Sequence, residues 1–171
     1  MKLSPVMKRF VLHCGEMGSR WGVNRTMGQI HALLFLSETP LTAETIADVL
    51  HVARSNVSTS LRELQSWGLV KMTHVEGDRR DHFDAHKDVR EIFRVVMEER
   101  KKRELDPTLA VLRDCVNDAA NDTPKAVRER MADTLAFMQL ITGIFDEVRQ
   151  LPDANALAWL KTGLKAKKLL G

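Results

Sequence analysis

Apolar residues return at helical spacing through most of the chain. Over residues 5–20, Val6, Phe10, Val11, Cys14 and Met17 line one side of a helix, and Pro5 suits its first turn. A second helix is predicted over 26–37, with Ile30, Leu33 and Leu34 inward, and Pro40 then breaks the chain. Thr42 can cap a short helix over 43–50 whose Ile46, Val49 and Leu50 face a core. After His51 and Val52 comes a helix over 53–68, with Val57, Leu61 and Leu64 at i, i+4 and i+7 and Gly68 as its stop.

The period then changes. Residues 69–75 alternate and are β-favouring, residues 76–81 are turn-rich, and 82–85 return as a strand, giving a hairpin whose tip carries Arg79 and Arg80. From Lys87 the spacing is helical again, with Val89, Ile92, Phe93, Val96 and Met97 in one stripe, followed by a mixed-sign run over 98–104. Asp106-Pro107 starts a further helix with Leu109, Leu112, Cys115 and Val116, and Pro107 permits either a kink or a break. Thr123-Pro124 repeats the start signal for a helix of about 27 residues in which Val127, Met131, Leu135, Met138, Ile141 and Phe145 form a partner-facing seam. A last helix from Pro152 carries Leu157, Leu160 and Leu164 and ends in Lys165-Ala166-Lys167-Lys168.

Opposite the apolar stripe of the 53–68 helix lie Ser55, Thr59, Arg62 and Ser66, with Asn56 and Ser58 on the shoulders. An ordinary surface helix carries Glu and Lys there. Short hydrogen-bonding groups near a helix start, with an arginine one turn on, suit close approach to base edges and phosphates. A short helix, a tight turn and this second helix make a helix-turn-helix, and the hairpin that follows makes it a winged one, with Arg79 or Arg80 able to enter a minor groove. The competing reading is a solvated turn in which Asp78 and Asp81 neutralise both arginines. The expected class is therefore mainly α, divided as an N-terminal helix (1–24), a winged helix-turn-helix DNA-binding domain with a small β-hairpin wing (25–86) and a helical dimerisation region (87–171). The terminal helices hold more apolar surface than so small a domain covers, so two copies are expected to pair, with recognition helices set about 34–36 Å apart for a pseudo-palindromic operator on double-stranded DNA.

Composition narrows the alternatives. The chain has 171 residues with a net charge of +3, 44% hydrophobic and 29% charged, an ordinary globular composition. The longest apolar run, 32–36, is too short to span a bilayer and the N-terminus lacks a signal-peptide pattern, which places the protein in the cytosol. Cys14 and Cys115 form no CxxC and are expected to be reduced. Residues 41–85 carry five Arg/Lys against seven Asp/Glu. Bulk charge thus makes no case for DNA binding; any positive surface there must be focused on one face, with help from Lys8, Arg9, Arg20 or Arg25.

The runs 27–34 and 41–50, Ser55-Asn56-Val57-Ser58, Leu61-Arg62-Glu63-Leu64 and Gly77-Asp78-Arg79-Arg80-Asp81 closely resemble bacterial transcriptional regulators of the GbsR type, within the MarR-like winged-helix group, over about residues 15–110. The resemblance implies a homodimeric, sequence-specific DNA-binding regulator, usually a repressor, that pairs through its terminal helices. Carried over by position, the recognition helix uses Arg54, Ser55, Asn56, Ser58, Thr59 and Arg62, and the wing uses Arg79 and Arg80. His51 stands where the family often has Gly, a tolerable change because His accepts left-handed geometry. Ala53 stands where a Ser commonly caps the helix, removing a cap worth about 1 kcal/mol. Family members respond in some cases to choline, so an aromatic cage for a quaternary ammonium effector is an expectation for Trp21, Trp67 or Phe93.

Other chemistries fit less well. His74, His82, Asp84 and His86 cluster in sequence but match no metal signature, and no metal or cofactor is expected. The chain has no glycine-rich phosphate loop and no nucleophile in a catalytic setting, so it is not expected to be an enzyme. The rival reading is a winged helix that has lost DNA binding and works as a protein-interaction module.

Overall fold

The computed structural model describes residues 3–20, 22–119 and 123–150. Trp21 and the expected helix from Pro152, with Leu157, Leu160, Leu164 and the lysine-rich end, lie outside the described residues. The described residues form, in order, α1 (Pro5–Arg20), α2 (Arg25–Leu36), β1 (Leu41–Thr42), α3 (Ala43–Leu50), α4 (Arg54–Ser66), β2 (Val70–Val75), β3 (Asp78–Ala85), α5 (Val89–Arg100), a π-helical turn (Lys101–Leu105), α6 (Asp106–Asp118) and α7 (Lys125–Gln150). The chain divides into two units, Met1–Val96 and Met97–Gly171.

In the first unit, Met27, Ile30, Leu33 and Leu34 of α2 meet Ile46 of α3 and Val57, Leu61 and Leu64 of α4, all at most 2% exposed. This core is the inward stripe of each predicted helix, and burying it supplies the main driving force of the fold. α1 lies along α2 and sends Val11 into that core. Val6 and Phe10, expected to share that burial, are exposed instead, because Gly15 and Gly28 bring the two helices into backbone contact and the crossing turns that side of α1 outward.

Local signals explain the tight turn between α3 and α4. The Thr42 side chain accepts from the Thr45 amide at 3.2 Å and starts α3. His51 closes it in the left-handed region, φ 55°, with Val52 N–H returning to the Ala47 carbonyl. Ala53, at the N-cap of α4, makes no side-chain cap. Gly68, at φ +74°, ends α4 as expected.

The sheet has three antiparallel strands in the order β1-β3-β2. The two-residue β1 was not apparent in the sequence; it pairs Leu41 with Phe83 and Thr42 with His82, tying the wing to the start of α3. A hairpin of two strands is marginal alone, and a third strand anchors it. β3 starts earlier than the sequence suggests. The turn is Glu76-Gly77, with Asp78 already opposite Val75, so Arg79 and Arg80 stand on the strand and not at the tip. The stripe expected on α5 is also rotated, with Ile92, Val95 and Val96 against the core and Val89 and Phe93 exposed.

In the second unit Pro107 causes neither a break nor a lone kink. Arg100, Leu105 and Asp106 all keep right-handed helical angles, and the π-helical turn takes up the strain of a residue that has no N–H and crowds the preceding turn. Lys101 spans that turn to Asp106 at 3.0 Å and also reaches Asp146 of α7 at 3.6 Å. α7 packs on α6, with Val127, Met131, Leu135, Met138 and Phe145 half-buried beside the buried Thr142. Those residues, with Ile141, were expected to face a partner, and of the six only Ile141 is exposed. The exposed apolar side joins Ile141 to Phe137, Leu140 and Ile144, which together repeat at i, i+3, i+4 and i+7. Among the described residues no helix is long and apolar enough to cross a membrane.

Candidate nucleic-acid interface

Val57, Leu61, Leu64 and the additional inward residue Ser60 fix the rotation of α4 against the core. At about 100° per residue this leaves Arg54, Ser55, Asn56, Ser58, Thr59 and Arg62 outward, and all six are exposed. Arg62 lies back along its own helix, its guanidinium 3.4 Å from the Ser58 carbonyl and 3.5 Å from the Thr59 hydroxyl. Ser66 is spent locally, donating to the Glu63 carbonyl at 2.8 Å.

The wing presents its arginines differently from one another. Arg80 is held by Asp78, whose carboxylate accepts from the Arg80 amide at 3.0 Å and from its Nε at 2.9 Å, with a third contact from Nη2. This pairing lowers the Asp78 carboxyl well below the usual carboxylate range and raises the Arg80 guanidinium. His82, buried beneath, places Nδ1 2.9 Å from the Arg80 carbonyl and Nε2 3.5 Å from Asp78. Arg79 is exposed and, among the described residues, makes no ion pair. Neutralisation of the wing by its own acids is therefore confined to Arg80.

Between α4 and the wing lies an open cleft of about 520 Å³, bordered by Ser58, Arg62 and Gln65 on one side and Met72, Arg79 and Arg80 on the other. All eight anticipated residues lie on α4 or β3, and four of them, Ser58, Arg62, Arg79 and Arg80, border this cleft. Arg54 reaches the group through an acid that the sequence did not single out. Glu44, in the first turn of α3, lies 3.5 Å from both Arg54 and Arg80. In the sequence it reads only as an acid favourably placed at a helix start; its spacing to β3 exists only after folding.

Among the described residues the other candidate chemistries are not brought together; Trp21 of the expected aromatic cage lies outside them. Trp67 is buried in the first unit and Phe93 is exposed on α5. His74 and His86 are exposed while His82 is buried against Arg80 and Asp78, and among the described residues no three His, Cys, Asp or Glu are grouped to hold a metal ion. Cys14 is half-buried, which pushes its thiol up and away from the reactive thiolate.

Residues 21–81 match the family model described as MarR family. No curated protein matches the chain. Among solved structures, that of a transcriptional regulator is similar at 21% identity, covering 85% of this chain and 96% of its own, with a TM-score of 0.62. The ST1889 protein of the thermoacidophilic archaeon Sulfolobus tokodaii is similar at 23% identity over 53% of this chain and 89% of its own, TM-score 0.42. A mutant of S. aureus MepR bound to an oligodeoxyribonucleotide is similar at 20% identity over 80% and 89%, TM-score 0.39. The fold described above is a MarR-like winged helix, mostly helical with a small antiparallel sheet.

Proposed function

We propose that this protein is a sequence-specific DNA-binding transcriptional regulator of the GbsR type, acting in the cytosol as a homodimeric repressor on a pseudo-palindromic operator. The observation that carries the reading is the exposed row Arg54, Ser55, Asn56, Ser58, Thr59 and Arg62 on one side of α4, flanked across an open cleft by Arg79 and Arg80, within the segment that matches the MarR family. The serine, threonine and asparagine side chains would enter the major groove, Arg62 would take a base edge or a phosphate, and the strand-borne arginines would reach the adjacent minor groove. Pairing of two copies is supported by the exposed stripe Phe137, Leu140, Ile141 and Ile144 on α7.

The test is selection of genomic fragments with the purified protein, followed by footprinting at two salt concentrations. An inverted repeat with half-sites about ten base pairs apart, lost steeply as salt rises, is the expected result. The double variant Arg62→Ala, Arg79→Ala should lose the protection. A second reading, a winged helix working as a protein-interaction module, is favoured by one feature: Arg54 and Arg80 already face carboxylates. No enriched fragment even at low salt would support it over the first.

A further inference from the structure

Arg54 opens the recognition helix and Arg80 stands on the wing strand, yet one side chain touches both. Oε1 of Glu44 lies 3.5 Å from Nη1 of Arg54, and Oε2 lies 3.5 Å from Nη1 of Arg80. Each carboxylate oxygen takes one guanidinium. Arg80 has a second carboxylate in Asp78, whereas Arg54 has, among the described residues, Glu44 alone.

The Glu44 side chain is 43% exposed, and pairs at such exposure add little to stability. Their consequence is geometric and electrostatic. The core and the β1–β3 pairing fix the backbones of α4 and the wing; the bridge biases the two guanidinium groups they carry toward one arrangement before any duplex arrives, which lowers the entropy lost on docking. It also puts a negative charge between them, on the surface that would meet phosphates. A duplex offering phosphates alone must compete with Glu44 for both guanidinium groups. One whose grooves match the preset spacing gains from the arrangement. Discrimination then comes partly from a repulsive group, as it does where a site must reject wrong partners.

We infer that Glu44 is a positioning and specificity-determining residue of the DNA interface, orienting the Arg54 and Arg80 guanidinium groups toward one another and penalising duplexes that engage them through phosphates only; this rests on the DNA-binding reading above.

The experiment uses the full chain and the variants Glu44→Gln and Glu44→Asp, with two readouts. Without DNA, nitrogen relaxation of the arginine side-chain Nε–H groups should show Arg54 ordered in the wild type and mobile in Glu44→Gln, while Arg80 stays ordered through Asp78. With DNA, Glu44→Gln should bind a scrambled duplex several-fold more tightly than wild type, with a salt slope steeper by about one and an operator-to-scrambled ratio reduced about fivefold or more. Glu44→Asp, which keeps the charge, should return the slope to the wild-type value. An unchanged ratio and slope in Glu44→Gln, or equal Arg54 mobility in both proteins, would overturn the inference. If wild type bound no duplex at any salt, the DNA-binding reading itself would fall, and the relaxation comparison would still report on the clamp.

Discussion

The ammonium of Lys87 donates to the carbonyl oxygen of Ser37, 2.8 Å away, and also to the Leu34 and Phe35 carbonyls at the end of α2. Helix ends leave carbonyls without intrahelical partners, and a cation there also suits the helix dipole. Lys87 lies two residues beyond Ala85, the last residue of β3, so this contact joins the end of the wing strand to the central helix. Replacing it by Met keeps the stem and removes the donors. We expect Lys87→Met to lower stability by about 1 to 2 kcal/mol, seen in urea as a shifted midpoint with an unchanged slope.

Gly28 is where α2 touches α1. A Cβ there would lie 2.8 Å from the Cys14 carbonyl oxygen and 3.3 Å from Gly15 Cα, both backbone atoms that cannot step aside. Alanine ordinarily favours a helix over glycine by about 1 kcal/mol, but forced separation of two packed helices costs more, about 1 to 3 kcal/mol. Gly28→Ala is therefore expected to destabilise. Gly143, within α7 and with nothing within 4 Å of where a Cβ would lie, serves as the opposite case, and Gly143→Ala should raise the melting temperature. Two shifts of the same sign by differential scanning calorimetry would refute the packing argument.

His31 is half-buried on α2, and its Nε2, shielded from solvent, has no hydrogen-bond partner among the described residues. Burial, then the Lys87 and His86 charges, push its pKa down to about 4 from 6.5. Between those values the unfolded chain holds a proton that the folded chain refuses, so stability rises with pH across that window. It is fully present above about pH 6.5 and is lost as pH falls toward 4. The difference between 6.5 and 4, at about 1.4 kcal/mol per pH unit, comes to about 3 kcal/mol. His31→Leu should flatten the stability profile between pH 6.5 and 4, and the His31 ring protons should titrate near the lower value by NMR. A His31 midpoint near 6.5 would contradict this.

Much of this was legible in the chain because it rests on local period and local caps. The stripe Val57, Leu61, Leu64 fixed which side of α4 faces out, and Thr42 and Gly68 mark element ends through geometry that a few neighbours determine. What escaped depends on pairing across distance. β1 is too short to show a period and exists because Leu41 finds Phe83. Glu44 gains its neighbours only when α3, α4 and β3 meet. On α7 apolar residues occupy both sides, so spacing alone could not say which side α6 would cover.

The uncovered side of α7 carries the prediction about assembly. Phe137 and Ile141 are 64% and 47% exposed, and contiguous apolar patches of that kind mark interaction surfaces. The wild type should sediment as a dimer at micromolar concentration. Phe137→Glu with Ile141→Glu should sediment as a monomer while keeping its helical circular dichroism. A variant that still dimerises would move the seam elsewhere.

Two helices of the helix-turn-helix begin from similar backbone angles and differ in one atom group. Thr42, at φ −78° and ψ 157°, uses its hydroxyl to cap α3; Ala53, at φ −63° and ψ 140°, has nothing to offer α4. The first amides of α4 are left to solvent or to a bound anion. Since the backbone already has the extended geometry a cap requires, Ala53→Ser should add about 0.5 to 1 kcal/mol, and Thr42→Ala should remove a similar amount. Chemical denaturation would measure both. Amide exchange adds a local check, because the serine should slow exchange at Ser55 and Asn56 without altering α3. Should Ala53→Ser leave those amides as fast as before, the start of α4 would be held by something other than its missing cap.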